Sequence, residues 1–147
     1  WKKALELLQE MRQSGMQPDD ISFSAVISAC ESCRQYGESD RIYLQAIESG
    51  LLLGFFNEDQ SILDLHDASE AVSQVIIRHL LQKIRSRRHK TEDIIVVTGQ
   101  GKHSTGAPVL QQSVRSFLRE VKGPTITEVP SNPGRFILTK ESIEEWL

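Results

Sequence analysis

The sequence predicts an α+β chain in two parts: an all-α helical-repeat fragment over residues 1–56, a linker at 57–61, and a small α/β sandwich over 62–147 ordered β-α-β-α-β-β. Three observations carry that prediction. The first sixty residues show apolar side chains at three- and four-residue steps, interrupted by glycine and proline. Beyond Ser61 the pattern changes to short apolar runs, Ile62–Leu65, Ile94–Val97, Ile126–Val129 and Phe136–Leu138, separated by helical stripes. The charge changes at the same place. Residues 1–60 hold five Lys/Arg and ten Asp/Glu, and residues 61–147 hold twelve and ten.

Taken in order, Ala4, Leu5, Leu8 and Met11 mark a first helix that Gly15 and Pro18 end. Asp19 or Asp20 caps a second helix, whose buried face is Phe23, Val26, Ile27 and Cys30, and Gly37 breaks it. Ile42, Leu44, Ala46 and Ile47 mark a third, ending at Gly50. In the second part, Ile62–Leu65 reads as a buried strand with one charge. Asp67 with Glu70 resembles a capping box. Ala68, Ala71, Val72, Val75, Ile76, His79, Leu80 and Ile84 form a stripe of about six turns. Asp93 to Val97 is a β-branched run of the kind covered on both faces of a sheet. Pro108 opens a helix with Val109, Leu110, Val114, Phe117, Leu118 and Val121 inward. Ser131–Gly134 is the turn of a closing hairpin, and Thr139 caps a last stub with Ile143, Trp146 and Leu147 on one side.

The bulk numbers exclude little. The chain has 147 residues and a net charge of -3. It begins at Trp1 rather than Met and reads as a piece of something longer. Its longest apolar run, Leu51 to Phe56, is far short of the roughly 20 residues that cross a bilayer, so no membrane partner is expected. Cys30 and Cys33 have no second pair and no neighbouring histidine, so zinc or redox chemistry is a poor fit. They read as two small residues on a helix in a reducing compartment.

Chemistry concentrates in two phrases. In Leu63-Asp64-Leu65-His66 the alternation of a strand puts Asp64 and His66 on one face. A carboxylate beside an imidazole can orient the ring and raise its basicity, or the pair can share a hydrated cation. In Thr98-Gly99-Gln100-Gly101-Lys102-His103 a strand runs into a glycine loop whose N–H groups can form an anion-binding concavity. It is neither a Walker loop nor a dinucleotide fingerprint. One residue, not four, separates its glycines, and Ser104 stands where the fingerprint has its third. Both phrases end strands one crossover apart, the place where open α/β sheets bind ligands. A basic run, Lys83, Arg85, Arg87, Arg88, His89 and Lys90, reads either as a phosphate-backbone contact or as helix-end cations suited to the dipole.

Two family resemblances follow. Leu7–Gly15 matches Leu44–Gly50 with the two glycines 35 residues apart. Together with Gly15-Met16-Gln17-Pro18-Asp19 and the Ser22-Phe23-Ser24 helix start, this resembles the pentatricopeptide repeat (PPR); the tetratricopeptide repeat is the near alternative. The resemblance makes 20–54 a whole repeat and 1–19 the tail of another, and it puts base-reading positions at Ser24 and Gly54. Gly54 has no side chain, which fits a terminal cap as well as a reading unit. Leu63-Asp64-Leu65-His66 with Thr98-Gly99-Gln100-Gly101, over 62–139, resembles the small MutS-related (Smr) domain. The combination is similar to the repeat-plus-Smr proteins of plant and algal organelles.

That resemblance implies an RNA-binding, or alternatively DNA-binding, protein of chloroplast or mitochondrion with an endonuclease domain. It implies Asp64 orienting His66 or holding Mg²⁺ or Mn²⁺, and His66 activating a water or a 2′-hydroxyl. Thr98 to His103 would cradle phosphate, and Lys83, Arg85, Arg87, Arg88 and Lys90 would track the backbone. Two positions depart from the pattern: Asp67 stands where many members have glycine, and Thr98 where others have a histidine. The rival expectation is a non-catalytic module that binds nucleic acid or a protein partner.

Overall fold

The computed structural model describes residues 1–99 and 109–147. It divides into two compact units, Trp1–Leu53 and Gly54–Leu147. The described residues form six helices and one four-stranded mixed sheet, so the chain is of mixed α and β structure.

The first unit holds α1 (Lys2–Gln13), α2 (Asp20–Ser32) and α3 (Tyr36–Glu48). Its core is Leu8, Phe23, Val26, Ile27, Cys30, Ile42, Tyr43 and Ala46, all buried. The predicted face of α2 is therefore the observed one. On α3 the side chains turn differently: Tyr43 is buried and Leu44 is 43% exposed. Asp19 is the cap of α2, its Oδ1 accepting from the Ser22 N–H at 2.8 Å. Asp20 instead accepts from the Leu52 N–H at 2.9 Å and holds the chain after α3. Gly37 does not end α2. That helix stops at Ser32, Arg34 takes a left-handed conformation (φ 55), and Gly37 lies in the first turn of α3.

The internal match has a structural counterpart. After α1, Gly15 has φ 77, its N–H donates to Arg12 O, and the Met16 N–H donates to Met11 O. After α3, Gly50 has φ 77, its N–H donates to Ile47 O, and the Leu51 N–H donates to Ala46 O. These are the two bonds of a Schellman cap, made twice at the same spacing as the sequence match.

The second unit runs β1 (Ile62–Asp64), α4 (Glu70–Arg85), β2 (Ile94–Val97), α5 (Val109–Glu120), β3 (Ile126–Glu128), β4 (Arg135–Leu138) and α6 (Lys140–Trp146). The sheet order is β1-β2-β4-β3. β1 and β2 are parallel, as a strand-helix-strand unit requires, while β4 is antiparallel to both β2 and β3. Leu63, Ile94, Val96, Phe136 and Leu138 line one buried face. Helices α4 and α5 cover it: Gln74 donates to Ser113 across the pair, and the Arg115 guanidinium lies 5.7 Å from the Phe136 ring centre. The other face is only half covered, since Ile95 and Val97 are half-buried. The expected two-sided burial of β2 is corrected accordingly: β-branching in Ile95 and Val97 serves the pleat rather than a second helix layer.

Three further expectations change. Helix α4 is capped by Ser69, whose Oγ accepts from the Val72 N–H at 3.2 Å, because Asp67 is engaged elsewhere. At 16 residues it makes about four and a half turns, not six. Its buried stripe includes Ser73, Ile77 and Leu81, and His79 is half-buried. On α5 only Val114, Phe117 and Leu118 are buried; Val109 and Val121 are exposed. Pro108 lies outside the described residues. Thr139 does cap α6, accepting from the Ser142 N–H, and Ile143 is buried, while Leu147 is 56% exposed.

Residues 57–61 belong to the second unit rather than forming a free linker. Asn57 Oδ1 accepts from the Ile62 N–H at 2.8 Å, and Asp59 Oδ1 accepts from the Ser61 N–H at 2.9 Å. Asn and Asp make such local bonds readily and so build turns. The turn folds Phe55–Asn57 back along β1, where Phe56 pairs with Leu63 and the Asp64 N–H donates to Phe55 O at 2.7 Å. Among the described residues no helix is long and apolar enough to cross a membrane.

Candidate functional site

At the carboxyl end of β1 the chain leaves the sheet with Leu63 and Leu65 fully buried, and the Leu65 N–H extends the ladder to Val97 O at 2.7 Å. That anchoring directs Asp64 and His66 to the less covered face. Asp64 Oδ1 lies 2.6 Å from His66 Nδ1 and also accepts from the His66 backbone N–H at 3.1 Å. On the other side of the ring, His66 Nε2 is 2.9 Å from Asp67 Oδ2.

A carboxylate at hydrogen-bond distance from each nitrogen requires both to be donors, which makes the ring an imidazolium. The hydrogen bond to Asp64 and then the Asp64 charge raise the His66 pKa above its ordinary value, with a smaller contribution from Asp67. The two carboxylates differ in freedom. The Asp64 side chain is 43% exposed and doubly bonded to His66, whereas that of Asp67 is 85% exposed.

The second phrase meets the first here. Gly99 has φ 78, and a Cβ on it would stand 3.4 Å from His66 Cβ. Thr98 is buried, and the N–H groups of Thr98 and Gly99 both donate to Gly134 O, at 2.9 and 3.2 Å. Thr98 Oγ1 turns to the same carbonyl at 3.4 Å. These two residues therefore form a hinge stapled to the β3–β4 turn, and their N–H groups do not face outward as a phosphate cradle. The rest of that reading, Gln100, Gly101, Lys102 and His103, lies outside the described residues.

Strand register adds a residue that sequence patterning passed over. Asp64 pairs with Val97, and Val97 with Arg135. Arg135 is therefore in the Asp64 row, two strands or about 10 Å away, and it is exposed. The signal available beforehand was the Asn132-Pro133-Gly134 turn, which brings Arg135 to this edge. Its register to β2 required the pairing itself.

Other predicted residues lie elsewhere. Helix α4 starts beside His66 and runs back across the sheet. Its 16 residues carry Lys83, Arg85, Arg87, Arg88 and Lys90 to the opposite edge, about 24 Å from the Asp64–His66 end. Ser24 is half-buried on α2 in the first unit. Gly54, with φ 89 and open space where a Cβ would stand, begins the second unit.

A divalent cation fits the described residues poorly. Asp64 Oδ1 and both His66 nitrogens face one another rather than a common point. What remains falls short of the several oxygen ligands that Mg²⁺ takes even with retained waters. Among the described residues no three His, Cys, Asp or Glu side chains converge as a metal site. Compared with known proteins, the chain matches no family model, and no curated protein matches it.

Proposed function

We propose that the second unit binds the phosphate backbone of nucleic acid, RNA first, at the Asp64–His66 edge. In this reading it is an Smr-type domain that PPR-type helices would position on an organellar transcript. The observation that carries the proposal is the His66 imidazolium, held by Asp64 and flanked by the Gly99 hinge, with Arg135 in the same row. A half-exposed cation with a fixed ring plane suits a phosphate oxygen, to which its Nε2–H donates once the exposed Asp67 swings away.

The same geometry supports a cleavage role of a particular kind. A protonated His66 acts as an acid rather than a base. When a 2′-oxygen attacks phosphorus and the bond to the 5′-oxygen breaks, Nε2–H supplies the proton that the leaving oxygen needs. The 2′-hydroxyl gives its own proton to solvent, and the products are a cyclic phosphate and a 5′-hydroxyl. Asp64 keeps the ring oriented and charged. No step passes through a metal.

A second reading, a binding module without chemistry, is favoured by Asp67 occupying Nε2. Structured RNA incubated with wild type, Asp64→Ala and His66→Ala, with and without Mg²⁺, separates the two. Cleavage lost in both variants supports the acid role. Salt-dependent binding without cleavage in any protein leaves the binding module. Cleavage equal in all three defeats the assignment.

A further inference from the structure

We infer that Arg87, Arg88 and Lys90 form a second contact for a nucleic-acid duplex, separate from the Asp64–His66 edge and set at a fixed distance from it. The inference rests on the nucleic-acid reading above and adds to it a geometry of engagement.

The helix-end explanation does not use these cations. The last carbonyls of α4 are already satisfied: the Arg88 N–H donates to Lys83 O at 2.9 Å, the Arg87 N–H to Ile84 O at 3.0 Å, and Ser86 Oγ to Lys83 O at 3.2 Å. Arg85 is used within the fold, its guanidinium 4.4 Å from the Trp146 ring centre. Lys83 is half-buried, whereas Arg87, Arg88 and Lys90 are exposed.

Among the described residues none of these three makes an ion pair, although Arg41, Arg115 and Lys140 each pair with a glutamate. Of the acids that follow, Asp93 accepts from the Lys140 N–H, and Glu92 alone stands near the run without such a bond. The loop is also held in place. Arg87 is fixed in a left-handed conformation with φ 55, and His89 sits against Phe56, ring centres 6.5 Å apart, with Nδ1 2.7 Å from Lys90 O. Three unneutralised cations on an anchored loop complement an anionic backbone.

Separation decides the kind of backbone. The two edges stand about 24 Å apart, the length of α4. Phosphates along one strand of a duplex recur about every 3.4 Å, so the gap corresponds to about seven nucleotides. A duplex is stiff over this length, and both edges can hold it only in one register.

The test measures salt-dependent binding of duplex RNA and duplex DNA to the whole chain. A duplex of about five base pairs spans about 17 Å and reaches one edge, while one of about fifteen spans about 51 Å and reaches both. The variant is Arg87→Asn/Arg88→Gln/Lys90→Gln, with asparagine at 87 because it tolerates φ above zero. Lys140→Gln is the control, and circular dichroism checks that each protein is folded.

On the longer duplex the variant is expected to lose about 2.7 from the slope of log affinity against log salt. It is also expected to lose the affinity gained with length, while the control loses neither. The RNA and DNA arms show which backbone is preferred. Salt-dependent binding with the same slope and the same length gain in wild type and variant overturns the inference and leaves the nucleic-acid reading standing. Absence of salt-dependent binding to any duplex defeats both. Binding to phosphatidylserine vesicles but to no duplex also defeats both and assigns the patch to a membrane surface.

Discussion

Substituting Gly99 by alanine separates what the hinge does for the fold from what it does for His66. At φ 78 an L-residue adopts a left-handed conformation, which costs about 1–2 kcal/mol. Restricting the unfolded chain returns about 0.4–1 kcal/mol, so the net loss is about 1 kcal/mol. No steric contribution is added, because the new methyl would meet His66 Cβ at 3.4 Å, an ordinary contact. For a unit of this size that loss lowers the melting temperature by about 4–8 °C.

Trp146 fluorescence in a Trp1→Phe background follows the second unit alone, since the chain has two tryptophans and Trp1 lies in the first unit. The His66 ring, followed by NMR titration, should keep its raised pKa in Gly99→Ala. An unchanged melting temperature would refute the need for a left-handed hinge. A loss above about 3 kcal/mol, or a His66 pKa that falls to its ordinary value, would refute the ordinary-contact reading of the 3.4 Å approach.

Two other outcomes follow from the same edge. Because the folded-state pKa of His66 is raised by Asp64, its contribution to stability is complete below the unfolded pKa of about 6.5 and is lost as pH rises through the folded value. Urea midpoints of wild type and Asp64→Asn should therefore differ more at about pH 5.5 than at about pH 8.5, and a pH-independent difference would refute the assignment. At the start of α4, Ser69→Ala should cost about 1 kcal/mol in urea denaturation. Asp67→Ala should leave the helix cap intact, and the reverse ranking would return the cap to Asp67.

Much of this architecture was legible because the forces that set it are local. The alternation in Ile62–Leu65 and the stripe Val72, Val75, Ile76, Leu80 and Ile84 predict strand and helix, since burying an apolar face leaves few other arrangements. The glycines at 15 and 50 mark their turns for the same reason: φ 77 excludes most other residues. What escaped was set by competition between neighbours or by distant pairing. Asp67 and Ser69 can each cap α4, and only the attraction of Asp67 to His66 decides between them. That Thr98 and Gly99 face the Gly134 carbonyl depends on β4 lying beside β2, which no local pattern encodes. The basic run clusters in sequence, but α4 carries it away from the histidine it was grouped with.

The turn at Asn57–Ser61 has a practical bearing on how this chain is cut. By holding Phe55–Asn57 against β1, it closes one side of the sheet to other strands. A fragment trimmed to begin at Ile62 would leave β1 as an open edge, with the Asp64 N–H and the half-buried Ile62 available to template self-association. A fragment beginning at Gly54 would keep the edge shut. The second unit should thus be obtained as a dispersed monomer only when the eight residues before its first strand are retained.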